Sequence, residues 1–188
     1  MALNSVLTYA HALLKQAVGP GETVVDATVG NGHDTIFLAT LVGPSGRVLG
    51  FDIQKEALKA TETQLVLTGQ TRQVTLINDG HEHLKNHLTA DQQIGGAIFN
   101  LGYLPGGDKQ LTTQSKTTLE AVKQAINLLR RGGLVVVVVY PGHPAGRLEQ
   151  DALLTAVKAL DQQTYNVLQY AFINQIHEPP FLLAVERK

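Results

Sequence analysis

The chain has 188 residues, a net charge of −1 and no cysteine. That length suits one domain, 1–188, with a substantial core, and the missing thiols exclude a disulfide framework and a thiolate metal site. No uncharged apolar run reaches membrane length, and a near-neutral chain is not a broad nonspecific nucleic-acid binder. A soluble, cytoplasmic protein is expected, with any RNA contact confined to a local patch.

The N-terminal segment lacks the basic start and cleavage pattern of a leader, and its periodicity predicts an amphipathic helix with Leu3, Val6, Leu7, Ala10 and Leu14 on one face. A short apolar strand over Thr23–Asp26 then ends on an acid, passes through a turn bearing Gly30 and Gly32, and enters a helix over His33–Leu41. A strand over Val48–Asp52 and a helix over Gln54–Thr68 follow, then a strand over Val74–Asn78 and a helix over Gly80–Leu88. Next come a strand over Ile94–Asn100 and a helix over Thr112–Arg130, with Leu119, Val122, Ile126 and Leu129 on one face and Arg130 and Arg131 at its C-terminal dipole. The run Leu134–Tyr140 is continuously apolar, so it should be buried on both faces. A helix near Ala145–Leu160 and two strands, Tyr165–Asn174 and Phe181–Glu186, complete the chain. This alternation predicts an α/β fold: a seven-stranded, mostly parallel sheet with one antiparallel edge hairpin and helices on both faces.

In such sheets ligands bind beyond the carboxyl ends of the strands, where the polar clusters of this chain fall. The glycine turn after the first strand suits a polar cofactor, because it permits a tight path and leads to unpaired helix N–H groups. The dinucleotide fingerprint would need a third glycine at Thr35. Asp26 would meet a pyrophosphate with the wrong charge, but suits the ammonium of an amino acid. Asp52, one β-α unit later, is placed to accept hydrogen bonds from both ribose hydroxyls. A ligand with a ribose at one end and an amino-acid ammonium at the other is S-adenosylmethionine.

Asn78, Asp79, Gly80 and His81 follow the third strand, where such a cofactor puts its adenine; Asp79 bonds the ring edge or caps the next helix, and His81 covers the ring. The segment HEHLKNH departs from the zinc pattern H-E-x-x-H at Lys85, so no metal is expected. After the fourth strand comes NLGYLPGGDK. The amide oxygen of Asn100 and the carbonyl of Leu101 can accept N–H bonds from an amine and aim its lone pair, and Tyr103 can stack on a base. After the fifth strand comes YPGHPAGR, which brings Tyr140 and His143 to one rim; Arg147 is either a phosphate contact or a solvated charge.

DATVGNGHDT, GFDIQ, NLGYLPGGDK and YPGHPAG together resemble the YtqB-like putative rRNA methylases over nearly the whole chain. That resemblance implies a Rossmann-like class I methyltransferase using S-adenosylmethionine, of the MnmM type that methylates the 5-aminomethyl group of wobble uridine in tRNA, including its 2-thio form. It implies Gly30, Asn31, Gly32 and Asp34 around the methionine end, Asp52 and Gln54 at the ribose, and Asp79, Gly80 and His81 near the adenine. NLGY then occupies the slot where amino-group methyltransferases often carry an NPPY-type motif.

A free alkylamine has a pKa of roughly 10 and must lose a proton before it can attack a methyl group. Asp108, His143 and Tyr140 are the candidate acceptors, with His143 best matched to neutral pH. Lys109 and Arg147, with Lys116 and Lys123, could contact the RNA, or a homodimer could join two weak patches. A tRNA substrate is favoured over rRNA. A small-molecule amine methyltransferase and a nonenzymatic cofactor-binding domain are the competing classes.

Overall fold

The computed structural model describes residues 2–102 and 112–188, so Tyr103, Asp108 and Lys109 lie outside the described residues. A parallel set of five strands forms most of the sheet: β1 (Thr23–Asp26), β2 (Arg47–Phe51), β3 (Val74–Ile77), β4 (Ile94–Asn100) and β5 (Leu129–Val139). The last two, β6 (Tyr165–Tyr170) and β7 (Phe181–Arg187), form an antiparallel pair, and the order across the sheet is β3-β2-β1-β4-β5-β7-β6. The order reverses at β1, whose neighbours are β2 and β4, and in sheets of this kind ligands bind beyond the carboxyl ends of the strands at such a reversal.

Among the described residues five α-helices cover the sheet: α1 (Val6–Ala17), α2 (His33–Val42), α3 (Lys55–Thr68), α4 (Ser115–Leu128) and α5 (Pro144–Lys158). Alternate strand residues serve opposite faces. Val24, Val136 and Val138 pack with α1 and α2, while Val25, Val135, Val137 and Val139 pack with α4 and α5. The continuous valine run of β5 is therefore buried from both sides, as its composition predicts.

Several boundaries differ from the expected ones, each for a local reason. α1 starts at Val6 because Ser5 caps it, its Oγ accepting the Thr8 N–H at 3.2 Å, and Leu3 stays 65% exposed outside the apolar face. The segment His81–His87 is a 3₁₀ helix rather than an α-helix. α4 ends before Arg130, which lies instead in β5. The Arg130 guanidinium pairs with Glu22 and donates to the Ala17 carbonyl at 2.7 Å, so it ties β5 to the end of α1 instead of answering a helix dipole. β6 stops at Tyr170, four residues short of the expected end.

Candidate functional site

The loop between β1 and α2 is built on backbone bonds and one buried acid. The Val29 N–H donates to Phe51 O at 3.0 Å, and the Gly32 N–H closes a turn on Val29 O at 2.8 Å. Gly32 caps α2 in the left-handed region, at φ 82°, and a Cβ there would stand 2.7 Å from Thr61 Oγ1. Only glycine satisfies both the angle and the space. Among the described residues no side chain caps this helix, so its first N–H groups face the loop.

Asp26 departs from its expected role. Its carboxyl has no exposure, accepting the Thr35 hydroxyl at 2.6 Å and the Thr28 N–H at 3.1 Å. Burial, and secondarily the charge of Asp34, push its pKa up to about 7. The strand-end acid therefore braces the turn from beneath, since the tight loop closes over it, and it offers nothing at the surface to an ammonium.

Asp52 sits where expected, at the end of β2. One oxygen accepts the Gly30 N–H and the other the Gln54 N–H, both at 2.9 Å. A carboxylate has further lone pairs, so the loop fixes the group without exhausting it. Asn78 holds the same corner by donating its amide to Asp52 O and Ile53 O, and Ile53 beside it is 63% exposed. Thr61 reaches over from α3 to bond Gly30 O at 3.2 Å. Thr61 and Ile53 carry no glycine or acid pattern that marks them as site residues in the sequence.

Asp79 is not the helix cap offered as its alternative role. It accepts His83 Nδ1 at 2.7 Å, His87 Nε2 at 3.1 Å and the Gly80 N–H at 2.8 Å. The His83 bond first, then that of His87, hold its pKa down at about 2, and the same bond raises that of His83. His83 and His87 are thus partners of a carboxylate, His83 while still exposed to solvent. His81 is bonded at Nδ1 to Ala27 O at 2.9 Å and meets the Phe99 ring edge-on.

At the mouth of β4 and β5 a chain of polar side chains converges. Tyr140 donates its hydroxyl to Asn100 Oδ1 at 3.1 Å, and Asn100 donates from Nδ2 to Asp34 Oδ2 at 3.3 Å. The Asn100 N–H is held by Thr28 Oγ1 at 2.8 Å, which docks the end of β4 on the β1–α2 loop. Burial, with the Asp34 charge, raises the Tyr140 pKa above the usual phenol value, so the hydroxyl keeps its proton and acts as a donor.

His143 stands at the same loop but its nitrogens are turned elsewhere. It caps α5, its Nδ1 accepting the Gly146 N–H at 3.1 Å, and Nε2 is buried with no partner among the described residues. The His-Pro pair favours this start to the helix, which removes His143 as the expected proton acceptor. Arg147 donates to Glu178 Oε2 from Nε at 3.0 Å and Nη2 at 2.8 Å, holding the β6–β7 loop, where His177 and Glu178 lie at φ 65° and 51°. Asn31 is exposed on the first loop. Among the described residues no group of three or more histidines or acids could hold a metal, and no helix is long and apolar enough to cross a membrane.

The family model described as "Putative rRNA methylase" matches residues 48–186. The Arabidopsis thaliana protein named tRNA (mnm(5)s(2)U34)-methyltransferase, chloroplastic, is 35% identical over 95% of this chain and 68% of its own. Among solved structures, a "putative rRNA-methylase" from Clostridium thermocellum matches with a TM-score of 0.97 and 41% identity over 100% of both chains. A "putative methyltransferase" from Streptococcus mutans, in complex with SAH, matches with a TM-score of 0.90 and 39% identity over 99% of both chains.

Proposed function

The chain belongs to the family described as "Putative rRNA methylase" and is an S-adenosylmethionine-dependent methyltransferase, and we propose that it N-methylates the 5-aminomethyl group of uridine, or 2-thiouridine, at the tRNA wobble position. The observation that carries this reading is the Asn100 amide at the mouth of the sheet. Its NH₂ is taken by Asp34 and its oxygen faces Tyr140, so the group presents an acceptor to an incoming amine. The name of the Arabidopsis relative supports the choice of tRNA.

The residues present suit the cofactor. In this proposal the uncapped N-terminus of α2 takes the carboxylate of its methionine end, with Gly30, Asn31, Gly32 and Asp34 around it. Asp52 and Gln54 take the ribose, while Ile53 and the 79–81 segment flank the adenine. Bound there, S-adenosylmethionine supplies an electrophilic methyl sulfonium. The protein's own task is to hold a neutral amine in line, and such positioning is worth roughly 7–11 kcal/mol at best. Asn100 Oδ1 accepts one amine N–H, which fixes the direction of the lone pair, and Tyr140 keeps that oxygen in place. Of the three proposed proton acceptors, Tyr140 is held protonated and His143 is occupied as a cap, which leaves Asp108 in that role. Tyr103, Lys109 and Arg147 are proposed to contact the RNA.

Nucleoside mass spectrometry of tRNA from a strain lacking this protein tests the reading. Unmethylated 5-aminomethyl uridine should accumulate, and an Asn100→Ala variant should fail to clear it. An unchanged tRNA profile with a lost methyl mark in rRNA would transfer the assignment to the ribosome.

A further inference from the structure

His11 lies in the middle of α1, outside every motif that marks the site. Its Nε2 meets Asp34 Oδ1 at 2.6 Å, and its ring stacks on Phe37 with centroids 3.9 Å apart and planes 7° from parallel. Asp34 is 5% exposed, and its second oxygen is the one that accepts Asn100 Nδ2. A continuous chain therefore runs from α1 through α2 to the ends of β4 and β5: His11, Asp34, Asn100, Tyr140.

The chemistry of that chain has a direction. An amide can present either its oxygen or its NH₂ to the mouth, and only the oxygen can accept an amine N–H. An ionised Asp34 accepts hydrogen bonds and cannot donate them, so it takes the NH₂ of Asn100 and leaves the oxygen outward. Asp34 is itself buried near a second carboxyl, that of Asp26. The His11 ring nitrogen on Oδ1 keeps the carboxylate turned so that Oδ2 stays on Asn100 Nδ2; without it the carboxylate can rotate and let the amide reverse.

We propose that His11 is a positioning residue for methyl transfer: through Asp34 it sets the orientation of the Asn100 amide toward the acceptor amine. This rests on the reading of Asn100 given above. His11 bonds only the inner oxygen of Asp34 and leaves in place the α2 N–H groups proposed to hold the cofactor, so its larger effect falls on turnover rather than on cofactor affinity.

Two variants separate this role from simple packing. His11→Phe keeps a ring to stack on Phe37 and removes the donor, whereas His11→Gln restores an N–H donor and removes the ring. Single-turnover transfer from saturating S-adenosylmethionine to bulk tRNA of a strain lacking this protein should slow roughly 10- to 100-fold in His11→Phe, the scale of a misplaced reacting group. His11→Gln should recover most of the loss, and the Kd for S-adenosylhomocysteine and the thermal midpoint should change little in either. A Phe variant as fast as the wild type, or a Gln variant no faster than the Phe one, overturns the proposal. If the wild type itself methylates no tRNA, the RNA assignment falls instead. The side-chain amide resonance of Asn100 then decides for His11: moved by Phe and kept by Gln if it positions, unmoved by Phe if it does not.

Discussion

Asp26 shows how one buried carboxyl links the loop to pH. Its pKa in the folded protein is raised to about 7, first by burial and then by Asp34, from an ordinary 3.8. Between these values the folded protein binds a proton that the unfolded chain has released, so stability falls as pH rises through that window. The slope from this group reaches at most about 1.4 kcal/mol per pH unit. Asp26→Asn, which cannot ionise, should lack this fall, and urea unfolding of both proteins from pH 4 to pH 8 measures it. Parallel stability curves would mean that Asp26 titrates normally. Residue patterns picked out Asp26 and Asp52 equally well as strand-end acids. They could not tell that Asp26 is sealed under the turn while Asp52 spans Gly30 and Gln54, because that depends on which backbone groups each carboxyl meets.

The β5–α5 junction carries the acceptor rim, and its geometry depends on Gly146. A Cβ at that position would lie 2.0 Å from the Tyr140 carbonyl oxygen and 3.0 Å from His143 Nε2. Backbone cannot yield as a flexible side chain does, so Gly146→Ala must push α5 away from the end of β5 and carry Tyr140 off Asn100. Methyl transfer should fall by roughly 10- to 100-fold. Affinity for S-adenosylhomocysteine should hold, because the β1–α2 loop is untouched; calorimetry beside single-turnover rates checks the split, and equal losses in both would refute it. The strands and most helices were legible from apolar periodicity and turn residues. The α4–β5 boundary was not. Arg130 and Arg131 resemble a helix terminus in sequence, but the distant Glu22 and Ala17 carbonyl draw Arg130 into a strand. The 3₁₀ segment at His81–His87 was equally hidden, since its histidines turn back to Asp79.

At the scale of the whole molecule, a net charge of −1 gives little long-range attraction to RNA, so binding has to come from local contacts. Arg147 is one of these in our reading, and it is presently engaged by Glu178, in a pair with side chains 62% and 47% exposed. Such an exposed pair is worth only about 0–1 kcal/mol, so a phosphate can displace the carboxylate. Arg147→Ala should weaken tRNA binding at low salt and make the salt dependence shallower by about one counterion. Glu178→Gln should strengthen binding by a few-fold. Filter binding across a salt series separates these outcomes, and an unchanged slope in Arg147→Ala would remove this side chain from the interface.

Apolar periodicity, the glycine turn and the acid closing β2 determined the mostly parallel sheet and the class of cofactor, because these follow from local spacing along one chain. Folding decided which polar groups face one another. Asp34, Asn100 and Tyr140 stand 34 to 140 positions along the chain yet form one hydrogen-bonded line, completed by a histidine in α1 that no pattern marks. A hydrogen bond acts over about 3 Å, and only the packed sheet brings those elements so close.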